Sequence, residues 1–149
     1  MRVRDVMTVN VACCTEDTPL TEVARMMVDH DCGAIPVLVS EGGRLSGVVT
    51  DRDIVCRSVA EGKNSVEMTA GDVMSRPLVA VAPETSLEEC LALMREHRIR
   101  RLPVQEAGGG CCGMLSQADV VQHVPEGEAV AFVKEVSQPT ETASVGIAR

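Results

Sequence analysis

The sequence predicts an α/β protein made of two tandem copies of one strand-helix-strand-strand-helix unit, packed together with pseudo-two-fold symmetry. Three observations predict it. Motifs of the first half recur in the second at a nearly constant offset. The apolar pattern of each half switches from strand-like runs to a helical period at matching places. One copy of roughly 60 residues would leave a sheet face uncovered and be marginal alone, so two copies must pack together.

The register of the repeat is long. Asp5-Val6-Met7 returns as Asp72-Val73-Met74 at an offset of 67, and Met27, His30 and Pro36-Val37 fall on Met94, His97 and Pro103-Val104. Gly47-Val48-Val49-Thr50-Asp51-Arg52-Asp53 then matches Gly113-Met114-Leu115-Ser116-Gln117-Ala118-Asp119 at an offset of 66. One residue is lost in the intervening turn, where Gly42-Gly43 faces Gly108-Gly109-Gly110.

Within each copy the first element is a short apolar run, Val9 to Cys13 or Leu78 to Val81, which suits a strand. Leu20, Val23, Ala24 and Met27 then lie at i, i+3, i+4 and i+7, and Leu87, Cys90, Leu91 and Met94 repeat that helical stripe. Pro19 behind Thr18 predicts the start of the first helix, and Thr85 with Glu88 reads as a capping box for the second. Hairpins follow, Ala34 to Val39 with Leu45 to Val49, and Leu102 to Gln105 with Cys111 to Leu115. Asp51 to Val59 and Gln117 to Val124 close the copies as helices. The expected division is a first repeat with linker over 1–66, a second repeat over 67–124, and a C-terminal helix with a disordered tail over 125–149. Ala129, Val130, Val133 and Val136 supply that last helix's apolar stripe.

Composition narrows the function. Fourteen Lys and Arg against 22 Asp and Glu give a formal charge of -8, which repels nucleic-acid phosphates and anionic membranes. With no Trp, no Tyr and one Phe, base stacking is not on offer, so nucleic acid is excluded as a partner class. No apolar run reaches a membrane span and no signal-peptide core follows Met1, so a cytoplasmic protein without membrane contact is expected. Seven Cys in apolar segments read as mostly reduced, buried small hydrophobes, with one member of Cys13-Cys14 and of Cys111-Cys112 more exposed than the other. No catalytic motif is present, and the sequence predicts no enzyme.

The doubled unit, with Asp-Val-Met at its start, an x-Pro-Val strand, and Gly47-Val48-Val49-Thr50 or Gly113-Met114-Leu115-Ser116 leading to Asp53 or Asp119, resembles the CBS domain. The resemblance covers residues 1 to about 124. Thr50-Asp51-Arg52-Asp53-Ile54-Val55, the Thr69-Ala70-Gly71 linker and the His123-Val124-Pro125-Glu126 ending narrow it to stand-alone members of the family. A CBS pair implies an adenosine-containing ligand such as AMP, ADP, ATP or S-adenosylmethionine in a cleft between repeats, with no obligatory cofactor. The resemblance further implies a disc-like homodimer and a protein partner, of unknown identity, that reads the repeats' relative orientation.

Thr50 with Asp53 and Ser116 with Asp119 are the ligand candidates, because a carboxylate accepts both vicinal ribose hydroxyls. The same Thr/Ser-x-x-Asp spacing is also an ordinary N-terminal capping box. The family implies an adenine slot of Val11, Ala34 and Ile35 in one copy, and of Val79, Arg101 and Leu102 in the other. Arg100 or Arg101, in the only basic cluster, would meet phosphate; Arg95 and Arg98 equally suit the helix C-terminal dipole. His30, His97 and His123 suit dipole partners better than metal ligands, so no metal site is expected. A non-nucleotide structural, redox- or metal-responsive stress homodimer is the rival reading.

Overall fold

In the computed structural model, residues 1–76 and 79–139 are described. The first half runs α1 (Val3–Val6), β1 (Thr8–Val9), β2 (Cys14–Thr15), α2 (Leu20–Asp29), β3 (Ala34–Leu38), β4 (Leu45–Thr50) and α3 (Asp51–Ile54), whose path continues as a wider π turn over Val55–Val59. A 3-10 turn (Ser65–Glu67) leads to α4 (Ala70–Val73), α5 (Leu87–His97), β5 (Arg101–Gln105), β6 (Cys111–Ser116), α6 (Gln117–Val121) and α7 (Glu126–Val136).

The halves exchange their leading segments. β1 pairs antiparallel with β6 of the second half, Thr8 opposite Met114, to give the sheet order β1-β6-β5; the other sheet is β2-β3-β4. The reciprocal contact is an antiparallel bridge of Ser75 to Val48. The expected first strand, Val9 to Cys13, is therefore split: the chain leaves one sheet, turns through Asn10 at φ +54°, and joins the other at Cys14 opposite Val37. Its counterpart is a parallel bridge of Val81 to Val104, while Leu78 of the expected second strand lies outside the described residues.

The short helices α1 and α4, which apolar periodicity cannot reveal at four residues, carry the exchange further. Val3 and Val6 are buried in the second half's core with Leu91, Met94, Leu102 and Leu115. Ala70 and Val73 are buried in the first half's core with Leu20, Val23, Ile35 and Val49. Matching backbone bonds pin both, since Val3 N–H donates to Thr85 and Ala70 N–H to Thr18, at 2.9 Å each. Between the sheets sits a small third cluster of Ala34, Val48 and Met114 with Val11 against it. Glycine makes this approach possible. A Cβ at Gly47 would lie 2.8 Å from the Ser75 carbonyl, and one at Gly113 would lie 2.8 Å from the Thr8 carbonyl.

Some boundaries differ from expectation for local reasons. Ser86, not Thr85, caps α5, in a reciprocal box with Glu89, while the Thr85 hydroxyl accepts from Ala82 N–H instead. Pro19 sits one residue outside α2, at its N-cap. On α7 the buried residues are Phe132 and Val136, whereas Val130 is half exposed. Phe132, fully buried, anchors α7 back onto α5, and the Arg95 guanidinium lies 5.8 Å from its ring centroid. The expected disordered tail falls mostly at 140–149, outside the described residues.

Two substitutions test this account. Gly113→Val should destabilise the chain by about 1–3 kcal/mol, because the added side chain meets backbone that can retreat only by unzipping β1 from β6. Phe132→Ala should cost about 3–5 kcal/mol. Urea denaturation followed by circular dichroism measures both, and an unchanged midpoint in either variant contradicts the packing described.

Candidate ligand cleft

β4 and β6 end alike. Each runs through a buried glycine-led apolar run to a hydroxyl residue, Thr50 or Ser116, at extended backbone angles, where the chain turns into a short helix. The hydroxyl then accepts from the backbone N–H three residues on, at 3.1 Å for Asp53 and 3.2 Å for Asp119. In return, Asp53 Oδ2 accepts from Thr50 N–H at 2.9 Å and Asp119 Oδ2 from Ser116 N–H at 2.7 Å. Both motifs are thus capping boxes, the ordinary reading of their spacing.

What surrounds each box differs. Asp53 is 7% exposed and also accepts from the Ser75 hydroxyl, 3.2 Å from Oδ2 and 3.4 Å from Oδ1. Ser75 is itself buried, so both oxygens of this carboxylate are taken up inside the protein. Asp119 is only half-buried. Its carboxylate accepts from Ser116 N–H and from the Ser116 hydroxyl, both at 2.7 Å and both through Oδ2, and among the described residues none uses Oδ1.

A cleft of about 450 Å³ opens beside Ser116 and Asp119. Its walls come from both halves: Thr8, Val11 and Ala12 of the exchanged segment, His30 to Ala34 at the end of α2 and the start of β3, and Arg101 and Met114 of the second sheet. Ala34, Val11 and Met114 form an apolar wall, and Ser116, Asp119 and Arg101 a polar one. Gly33 admits the polar groups. A Cβ there would sit 2.9 Å from both the Arg101 Nη2 and the Asp51 Oδ2, so the guanidinium and carboxylate converge over the glycine.

Of the residues the sequence singles out, the structure therefore brings Val11, Ala34, Arg101, Ser116 and Asp119 to one cleft. Thr50 and Asp53 are buried at the equivalent place in the other half. Ile35 and Leu102 are fully buried in the two cores, because each strand side chain points opposite to its neighbours and Ala34 and Arg101 hold the cleft face. Val79 packs against the second half's core, and Arg100 is exposed. Val11 and Ala34 of the first half stand in this cleft beside the hydroxyl of Ser116 and the carboxylate of Asp119 from the second. Thr8 escaped the sequence reading, and Met114 stood in the doubled motif without being assigned to a site. Thr8 left a signal as the repeat equivalent of Ser75.

The cysteines are less uniformly buried than expected. Cys14 and Cys90 are buried, and burial pushes both thiols up to about 11. Cys32 and Cys56 are exposed on helix ends and turns, and Cys13, Cys111 and Cys112 are half-buried. The side chains of Cys13 and Cys111 interact across the two halves, which lowers the pKa of Cys13 and raises that of Cys111. Among the described residues no three His, Cys, Asp or Glu side chains converge as metal ligands. His30 lies at the cleft, while the His123 ring nitrogen Nδ1 is 2.7 Å from the Asp119 carbonyl oxygen.

With the geometry in hand, comparison with known proteins is specific. The family described as CBS domain matches twice, over residues 3–59 and 70–126. Hypoxic response protein 1 of Mycobacterium tuberculosis is 38% identical over 141 residues, covering 95% of this chain and 97% of that protein. The crystal structure of hypoxic response protein I with two coordinated zinc ions superposes with a TM-score of 0.75 at 36% identity, over 84% of this chain and 100% of the other. The crystal structure of CBSX2 in complex with AMP gives a TM-score of 0.70 at 27% identity, over 89% and 98%.

Proposed function

Since the chain belongs to the CBS domain family, as a pair of repeats, we propose that it is a regulatory, non-catalytic protein that binds one adenosine-containing ligand in the cleft between its halves. The asymmetry of the two capping boxes carries this reading. Asp119 has an oxygen to offer in an open cleft, whereas Asp53 is buried and held by Ser75. Vicinal ribose hydroxyls would donate to Asp119, each charge-assisted bond contributing on the order of 1.5–3 kcal/mol. The base would lie against Val11, Ala34 and Met114, and Arg101 would face a phosphate. The cleft volume is that of a small-ligand site, and CBSX2, a relative of like fold, is known with AMP.

In this reading the ligand acts by population shift. Its contacts span both halves, so binding favours the relative orientation in which Asp119 and Ala34 face each other, and a protein partner reads that orientation. The second half's helices are covered by α7, while Val28, Val55 and Val59 stay exposed on those of the first. That uncovered face supports a homodimer. We assign it a cytoplasmic setting; no described helix is long and apolar enough to cross a membrane. Zinc accompanies the mycobacterial relative, but among the described residues the donors of one chain do not gather a site here.

Isothermal titration of the reduced protein with AMP, ADP, ATP and S-adenosylmethionine tests the proposal. We expect one site per chain for at least one of them, and Asp119→Ala should weaken it about 10- to 100-fold. Two equal sites, or an affinity indifferent to Asp119→Ala in a variant whose circular dichroism is native, overturns it. At about 100 times its dissociation constant the ligand should also add about 2.7 kcal/mol of stability, visible as a rise in Tm.

A further inference from the structure

We propose that Cys13 and Cys111 form a reversible disulfide that fastens the two halves together at the edge of the cleft. The inference is independent of which ligand the cleft takes. The two residues are almost a hundred positions apart in sequence, and it is the segment exchange that joins them. β1 runs antiparallel to β6 with Val9 opposite Gly113, so the chain that follows β1 passes alongside the start of β6, where Cys111 lies. Their thiols interact across this crossing, each shifting the other's pKa. Each is also turned back on its own strand, the Cys13 thiol donating to the Val11 carbonyl at 3.6 Å and the Cys111 thiol to the Gly113 carbonyl at 3.4 Å.

The neighbouring cysteines are unsuited to the same role. Cys14 is buried in the first half's core, and the Cys112 thiol donates instead to the Val104 carbonyl within its own hairpin. At the positions equivalent to Cys13 and Cys111 by the repeat stand Ala80 and Leu45, so the pair is an addition to one of the two pseudo-symmetric crossings. Half-burial leaves both thiols within reach of a small oxidant. The contact also favours the first step: the Cys111 side chain lowers the pKa of Cys13 and so favours its thiolate, the nucleophilic form. Cys14 beside Cys13 and Glu106 beside Cys111 are the other titratable groups facing the pair, and both oppose ionisation.

The oxidant is a low-molecular-weight disulfide. Cys13 thiolate attacks one of its sulfurs, forming a mixed disulfide and releasing one thiolate. Cys111 then loses its proton and attacks the Cys13 sulfur, expelling the second thiolate. Two protein thiols are oxidised by two electrons and one small disulfide is reduced to two thiols. The new bond joins residue 13, next to the cleft-lining Ala12, to β6, which carries Met114 and Ser116. It would fix the spacing of the two walls and close a long loop in the unfolded chain, raising Tm.

The test equilibrates the full chain with glutathione and glutathione disulfide at defined ratios, blocks free thiols, and maps cross-links by fragmenting the linked peptides. We expect a monomer lighter by two hydrogens, a Cys13–Cys111 link that dithiothreitol reverses, and a higher Tm than the reduced chain. Cys111→Ala should abolish that link and move the pH midpoint of Cys13 alkylation upward. A dominant link at other cysteines, intermolecular dimers through Cys32 or Cys56 alone, or persistence of the two-hydrogen loss in Cys111→Ala would overturn the proposal.

Discussion

Everything in this molecule depends on the crossing of two backbone segments through the space left by two missing side chains. Gly47 and Gly113 stand where the leading segment of the opposite half lies against a strand, and each would press a Cβ to 2.8 Å of a carbonyl oxygen. That proximity lets Thr8 pair with Met114 and Ser75 with Val48, and it draws α1 and α4 into cores that are not their own in sequence. Neither half is then complete without the other. Burial of Val3 and Val6 in one core and of Ala70 and Val73 in the other couples their stabilities, since losing either segment exposes apolar surface on both.

The crossing also creates the cleft. Because the segments exchange, the cleft-facing side of β3 in the first half looks at the end of β6 in the second, and Ala34 meets Ser116 and Asp119 across the interface. The pseudo-symmetric place behaves differently for a reason that one residue supplies. Ser75 crosses beside Asp53 and hydrogen-bonds its carboxylate, while its equivalent Thr8 lines an open cleft beside Asp119. A buried carboxylate with both oxygens engaged is stable and closed, whereas one with a spare acceptor in a solvated cleft is poised to bind. Two copies of one motif thereby stand in unequal surroundings.

A core nearly free of aromatics places unusual weight on the one that exists. Phe132 is fully buried and ties α7 to α5, with Arg95 over its ring and the Arg95 Nε 2.7 Å from Glu135 Oε2, within ion-pair reach though not aligned as a hydrogen bond. Partly exposed pairs of this kind contribute little, about 0–1 kcal/mol, so the ring's burial and not the charge holds the helix down. The result is a lopsided surface. One helical face is covered by the chain itself, and the other presents Val28, Val55 and Val59.

The repeat, the two hairpins and the longer helices were legible in the sequence, because a doubled motif such as Gly47 to Asp53 against Gly113 to Asp119 and a helical stripe such as Leu20 to Met27 are properties of order along the chain. So were the two capping boxes, whose spacing is local. The partners of each segment were decided by tertiary structure alone. Nothing in the order of residues says that β1 leaves its neighbours at Asn10 to join β6, that Val11 stands beside Asp119 and not Asp53, or that Cys13 meets Cys111. A repeated sequence is equally compatible with each half keeping its own leading strand or trading it. The choice rests on long-range packing, through the room at Gly47 and Gly113 and the burial of α1 and α4, and sequence spacing carries no record of that.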